Sequence, residues 1–185
     1  LLSGGFDSPV AAHKMMEQGV ELVALHVSSV PFTDEQEEKK VMKICKHLGI
    51  KKLVITKCGE ELSELTKKCK HKLYYVLSRR LMYRIAAQLA EKEKAEAIVT
   101  GENLGQVGSQ TVWNMHSITQ SVSLPVLRPL LCNDKVETIR ESRTIGTHDL
   151  SVGPELCSLL GPKHPATRTK LEEVEKEETH LDMQK

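Results

Sequence analysis

Leu1-Leu2-Ser3-Gly4-Gly5-Phe6-Asp7-Ser8-Pro9 opens the chain, passing from an apolar pair through two glycines into a helix start. Leu1 and Leu2 suit the end of a buried strand, Ser8 is expected to cap the helix, and Pro9 fits its first position. Without a Cβ at Gly4 or Gly5 the backbone can close on an anion, while unpaired N–H groups of the bend and of the helix start point at it. Ser3, Gly4, Gly5, Asp7 and Ser8 thus form a candidate phosphate cradle. The stretch has neither the Gly-Lys-Ser/Thr of a P-loop nor the spaced glycines of a dinucleotide fingerprint. An ordinary strand-turn-helix junction is the plain alternative.

Downstream, strands and helices alternate. Val10 to Gln18 carries apolar residues at helical spacing with Gly19 as its stop, and Glu21 to Val27 reads as a buried strand. Asp34 is expected to cap a charged helix that ends at Gly49, and Lys52 to Thr56 is a third strand. A long amphipathic helix from Tyr74 to Lys94 precedes a fourth strand, Ala97 to Thr100. Gly101 to Gly108 is a loop, followed by a helix to His116, an extended piece from Ser123 to Leu127, and a helix from Asn133 to Ile145. The order predicts an α/β fold, an open, mostly parallel twisted sheet with helices on both faces. Ligands of such sheets collect at the carboxyl ends of the strands, where strand order reverses. The cradle, the end of the His26-Val27 strand and the Gly101 loop all fall on that edge. Leu171 to His180 is charged and helical in propensity, and it is expected to be solvated or to pack on an absent partner.

The 185 residues suit one domain with a single core, and 39% hydrophobic with 28% charged residues is ordinary for a soluble globular protein. No apolar run approaches the roughly 20 residues of a membrane span, so a cytoplasmic protein is expected. Five cysteines without a Cys-x-x-Cys pair argue against a disulfide scaffold or zinc site and suit a reducing compartment. A net charge of +1 gives little general attraction for polyanions, and 3% aromatic residues supply few stacking platforms for bases. Opening on the last residues of a strand leaves that strand short, which points to a segment upstream of Leu1.

Two further motifs stand beside the cradle. In Thr100-Gly101-Glu102-Asn103-Leu104-Gly105-Gln106-Val107-Gly108-Ser109-Gln110-Thr111, three glycines and several amides follow a strand directly, and Arg128-Pro129-Leu130 and Asp134-Lys135 come later. The Ser-Gly-Gly-x-Asp-Ser order resembles the PP-loop of the ATP pyrophosphatases, which split ATP between its α and β phosphates. Taken with the other motifs, the chain closely resembles, from Leu1 to about Arg168, the catalytic domain of the tRNA 4-thiouridine synthetases, also known as the thiamine-biosynthesis sulfurtransferases. The cradle alone would also fit argininosuccinate, asparagine, GMP and NAD synthetases and other tRNA thiolases. The Gly-Glu-Asn-Leu-Gly-Gln loop decides among them.

The resemblance implies an enzyme that uses Mg-ATP to adenylate the C4 oxygen of uridine 8 in tRNA and then replaces that oxygen with persulfide sulfur. A second role in supplying sulfur to the thiazole of thiamine goes with it. By the same resemblance, Asp7 would help hold magnesium and the phosphates, and Lys135 would stabilise charge on the phosphates. Leu1 and Leu2 would line the ATP site through their backbone, His26 and Val27 would sit beside the adenine, and Arg79, Gly101 and Gln110 would complete the nucleotide pocket. Read without it, Asp7 caps a helix, Lys135 and Arg79 are surface charges, His26 is a packed strand-end histidine, and Gln110 is an ordinary polar helix residue.

Cys157, in Gly153-Pro154-Glu155-Leu156-Cys157, is similar to the family's active cysteine and would handle sulfur from a turn-rich segment able to reach a donor. Bacterial members with a C-terminal rhodanese-like domain pair this cysteine with the rhodanese cysteine. These residues include no such domain, so the sulfur is expected in trans from a cysteine desulfurase, another carrier or inorganic sulfide. Cys132 is either a resolving partner for Cys157 or a buried apolar cysteine, and Cys45, Cys58 and Cys69 receive no role. Tyr75 and Ser78 stand where some archaeal members carry Cys-x-x-Cys, so an iron-sulfur cluster held there is not expected. The family's ferredoxin-like and THUMP domains, which grip tRNA, are also absent from these residues. Positions 1–168 are therefore expected to form the adenylating and sulfur-transferring domain and 169–185 a charged helical tail, in a chain that binds ATP, holds tRNA weakly and can form a homodimer. The rival readings are another PP-loop adenylating enzyme, either a different tRNA thiolase or an amide-forming ligase, and an ATP-binding module without catalysis.

Overall fold

The structure is a computed structural model that describes residues 1–153 and 160–181. Strand β1 (Val23–Ser28) pairs in parallel with β2 (Lys52–Lys57), and β3 (Ile98–Val99) pairs in parallel with β4 (Val126–Leu127). Leu1 and Leu2 bridge the two pairs. The Leu2 N–H donates to the Leu25 carbonyl and the Leu1 nitrogen to the Val99 carbonyl, both at 2.8 Å. The side-by-side order is therefore β2, β1, Leu1–Leu2, β3, β4. From Leu1–Leu2 the chain builds outward to one side and later returns to build on the other, so strand order reverses here. The bend after Leu2 lies at the crevice this reversal opens.

The helices are α1 (Asp7–Glu17), α2 (Gln36–Leu48), α3 (Gly59–Lys68), α4 (Tyr74–Glu93), α5 (Val112–Thr119), α6 (Lys135–Thr144), α7 (His148–Ser151) and α8 (Leu171–Glu178). Successive strand residues point to opposite faces. Leu2 and Ala24 accordingly pack with Val41, Ile44 and Cys45 of α2, whereas Leu1, Leu25 and Val27 pack with Ile85 and Ala86 of α4. Both faces are covered, as the alternating sequence pattern requires. Val41 and Ile44 are fully buried, and each such side chain contributes roughly 1.5–3 kcal/mol. On α1, Val10 and Ala11 pack against Leu130 and Ile145, which docks the start of α1 beside α6. Among the described residues no helix is long and apolar enough to cross a membrane.

The helix starts differ from expectation. α1 begins at Asp7, so Ser8 is not its cap and Pro9 is not its first residue. The Ser8 hydroxyl instead reaches back across the bend to accept the Ser3 N–H at 2.8 Å. α5 begins at Val112 rather than near Gly108, because positions 105–110 close on themselves. The Gly105 N–H donates to the Gln110 carbonyl at 2.7 Å and the Gln110 N–H to the Val107 carbonyl at 2.8 Å, leaving Thr111 to cap the helix. α3, with Leu62 and Leu65 in the core, has no counterpart in the sequence reading.

The charged C-terminal segment is not solvated. Val174 of α8 is fully buried, and the Glu178 carboxylate accepts hydrogen bonds from Arg80 at 2.7 and 2.8 Å and from Arg84 at 2.6 and 2.8 Å. Glu177 accepts the Lys70 N–H at 2.8 Å. These charges read as a wet face because their partners stand 94 to 107 residues earlier in the chain.

Candidate functional site

Three segments meet at the carboxyl edge of the sheet: the bend 3–8, the loop 101–110 and the start of α6. The bend is braced by its own serines, since Ser3 Oγ accepts the Gly5 N–H at 3.3 Å while Ser8 Oγ takes that of Ser3. Two of its amides are thus engaged internally, and those of Gly4 and Phe6 have no partner among the described residues. Gly101 packs directly beneath the helix start. A Cβ there would come within 2.7 Å of the Ser8 nitrogen and 2.8 Å of the Asp7 carbonyl carbon, so only glycine lets loop and helix approach this closely.

Asp7 is the meeting point. Its carboxylate accepts from Lys135 Nζ at 3.2 and 3.3 Å and from Gln106 Nε2 at 3.2 Å. Lys135 is the first residue of α6, and its place is set by a capping box in which Asp134 accepts the Val136 N–H at 2.7 Å and Glu137 accepts the Asp134 N–H at 3.3 Å. The Lys135 ammonium also lies 6.0 Å from the centre of the Phe6 ring. The Asp7 and Lys135 side chains keep 25% and 45% of their surface exposed, so a ligand can reach both. A second cation approaches from α2. A Cβ on Gly4 would come within 2.8 Å of Lys40 Cδ, and one on Gly153 within 3.2 Å of Lys40 Nζ.

Behind the loop, Glu102 is a buried hub. It accepts from the Tyr83 hydroxyl at 2.5 Å, the Thr100 hydroxyl at 3.2 Å and Arg128 Nε at 2.9 Å. Burial works against its charge, but Arg79, Tyr83 and Arg128 outweigh it and hold the carboxyl below the usual glutamate range. Burial first, and Glu102 second, push the Tyr83 hydroxyl up, so it remains a donor. Asn103 Nδ2 donates to the Asn133 carbonyl, tying the loop to the residue before the α6 cap. Arg79 is half-buried on α4, and its charge acts on Glu102.

His26 is buried with Nδ1 3.1 Å from the Leu2 carbonyl oxygen, and Val27 sits in the apolar core. His26 Nε2, Gln106 Oε1 and Gln110 Oε1 are buried without a hydrogen-bond partner among the described residues. Such an atom costs about 1–3 kcal/mol when left unpaired. A nucleotide, rich in amino and hydroxyl groups, fits these positions. For magnesium, Asp7 offers one carboxylate, and the described residues contain no group of three His, Cys, Asp or Glu able to hold a metal. That donor set fits an ion bound through one carboxylate and substrate phosphates rather than a protein cage.

Cys157 lies outside the described residues. Cys132 is exposed, which removes its reading as a buried apolar cysteine. Cys45, Cys58 and Cys69 are buried, and burial pushes each thiol up to about 11. Gln106, Glu102, Phe6 and Arg128 stand inside motifs read from the sequence, which give them no role of their own, and Lys40 lies outside every motif. Gln106 and Glu102 stand inside a loop already marked by its glycines and amides, which was the available signal. For Lys40, on a charged amphipathic helix, no signal existed.

Residues 1–183 match a family model described as thiamine biosynthesis protein (ThiI). The chain is 46% identical over 187 residues to a probable tRNA sulfurtransferase of Moorella thermoacetica, covering 98% of this chain and 48% of the relative. It is 43% identical over 192 residues to a probable tRNA sulfurtransferase of Caldanaerobacter subterraneus subsp. tengcongensis, covering 100% of this chain and 50% of the relative. Among solved structures it is similar to a 4-thiouridine synthetase in an RNA complex with bound ATP, with a TM-score of 0.92, 38% identity, and 98% of this chain against 49% of that one. An NMN synthetase from Francisella tularensis, with a TM-score of 0.61 and 14% identity over 97% of this chain and 81% of that one, shares the fold alone. The chain spans about half the length of the curated relatives it matches.

Proposed function

The chain belongs to the thiamine biosynthesis protein (ThiI) family, and on that premise we propose that it is the adenylating and sulfur-transferring part of a tRNA uridine 4-sulfurtransferase. The observation that carries this reading is the convergence of Asp7, Gln106 and Lys135, from three distant segments, on a glycine bend at the reversal of strand order. A C4 oxygen on uridine is a poor leaving group; ATP supplies the AMP that activates it, and magnesium would screen the departing pyrophosphate. Each further role belongs to the chain itself. The N–H groups of Gly4 and Phe6, without a partner among the described residues, and the start of α1 would bind phosphate oxygens. Lys135 and Lys40 would stabilise the negative charge that grows as pyrophosphate separates. Asp7 would orient Lys135 and hold magnesium. The backbone of Leu1 and Leu2, with His26, Val27, Arg79, Gly101 and Gln110, would surround the nucleoside.

A persulfide on Cys157, taken by thiol exchange from a cysteine desulfurase or other persulfide carrier, would attack C4 with its outer sulfur and displace AMP, and a second thiol would then cleave the S–S bond, freeing 4-thiouridine and leaving a disulfide; inorganic sulfide would instead attack C4 directly. The same transfer would serve the thiazole of thiamine. Cys45, Cys58 and Cys69 do not compete, because thiols pushed up to about 11 are almost wholly protonated near neutral pH. A cytoplasmic location suits chemistry that needs free thiols.

The test is direct. With ATP, magnesium, tRNA and a persulfide source, the chain should release pyrophosphate and form 4-thiouridine. Lys135→Ala should slow pyrophosphate release by roughly 100-fold or more, the effect of losing one donor aimed at developing charge. Cys157→Ser should release pyrophosphate and yield no thiolated uridine. Undiminished release by Lys135→Ala would overturn the assignment.

A further inference from the structure

Trp113 is the chain's one tryptophan, and it stands 50% exposed near the start of α5. Large aromatic side chains are mostly buried, so one left in water at a loop beside a candidate site calls for a partner. The Arg168 guanidinium lies 4.8 Å from the ring centre, within cation–π range. Leu104, Val107 and Val112, which lead along the loop to Trp113, are also exposed.

The segment fastened beside this patch carries charge of one sign. Lys163, His164, Arg168 and Lys170 are exposed, and positions 160–171 contain no acidic residue. This strip is fastened to α5 rather than loose. The Thr111 hydroxyl donates to the Thr167 carbonyl at 2.6 Å, Asn114 Nδ2 to the Ala166 carbonyl at 2.8 Å, and the Thr169 hydroxyl to Asn114 Oδ1 at 2.9 Å. The loop that places Gln106 on Asp7 runs directly into this helix, so patch and candidate site share one support. A flat aromatic beside an acid-free cationic strip matches a polynucleotide, because every base offers a π face and every linkage a phosphate charge.

Resting on the uridine-modifying reading above, we propose that Trp113 is a stacking platform for an unpaired base of the substrate RNA, with Arg168 and its basic neighbours contacting the adjoining phosphates. A single tryptophan makes the test clean, since all tryptophan emission from the chain reports on this position. Titration with transcribed tRNA at low salt should quench that emission in a saturable way, whereas ATP alone should leave it unchanged. Trp113→Ala, checked for folding by circular dichroism, should weaken tRNA binding by about 5- to 100-fold, the range for losing one stacked base. Arg168→Ala keeps the fluorophore and should weaken binding and lower the slope of log K against log salt by about 1, the share of one phosphate contact. If the chain retains tRNA on a filter and releases pyrophosphate but the emission stays unmoved, this platform is wrong and the uridine-modifying reading stands. If it neither binds tRNA nor releases pyrophosphate, both fall. Emission that changes with protein concentration alone would assign the patch to a protein contact and overturn the proposal.

Discussion

Glu178 and Asp7 are both carboxylates held by cations from distant parts of the chain, yet their surroundings are opposite. Glu178 is gripped by Arg80 and Arg84, with Arg80 only 2% exposed, whereas Asp7 meets Lys135 where 25% and 45% of the two side chains face water. A buried pair binds its partners because neither can return to water, and breaking it strands charge in a poor solvent. An exposed pair is screened, adds little to folding and can be exchanged for a ligand's charges. Burial, not residue type, separates the structural knot from the open pair at the candidate site.

The comparison can be broken most forcefully at Glu178. Glu178→Ala should destabilise the fold by about 3–5 kcal/mol by leaving two arginines uncompensated, which lowers Tm by on the order of 10 °C in a chain of this size. A thermal melt unchanged within a degree or two would show that α8 is not held by charge.

Acid titration sharpens the same point. Arg84 and Arg80 outweigh the burial that would raise the Glu178 carboxyl, and they hold it below the ordinary value of 4.5. A depressed carboxylate contributes stability above its unfolded value and loses it as pH falls through its folded value. The gap in urea midpoint between the parent chain and Glu178→Gln should therefore be constant from neutral pH to about 4.5 and close below it. A gap unchanged down to pH 3 would contradict this.

Gly101→Ala comes next in size. Its Cβ would press on the backbone of Asp7 and Ser8 rather than on a flexible side chain, and overpacking of that kind costs about 1–3 kcal/mol. The helix start should be displaced, so ATP affinity, read by calorimetry, should fall with stability. The smallest effect belongs to Lys135→Ala, whose change in unfolding free energy should stay under about 1 kcal/mol even as pyrophosphate release collapses. A large stability loss there would make the Asp7–Lys135 pair structural and erase the contrast with Glu178.

Much of the candidate site could be read before the fold was seen, because its signals are local. The glycines and acid of the bend, the glycines of the 101–110 loop, and the Asp134 cap with its following lysine are three signals, each written within a few residues of chain. The misreadings have equally local causes. Ser8 looks like a cap because capping is normally judged from sequence order, whereas its hydroxyl is taken by an amide five residues back. The 171–180 segment looks wet because helical charges carry no mark of a partner beyond the helix.

The order of strand, glycine bend and helix, the parallel α/β architecture and the residue types of a candidate phosphate cradle were determined by the amino-acid sequence itself, through propensities that act over a turn or two of chain. The tertiary structure alone decided that Asp7 meets a lysine 128 positions away, that Leu1 and Leu2 lie between β1 and β3, and that Glu178 rather than Asp7 is sealed from water. Contacts across such separations leave no periodicity in a sequence. Whether a charge holds a fold or awaits a ligand depends on the solvent left around it after packing.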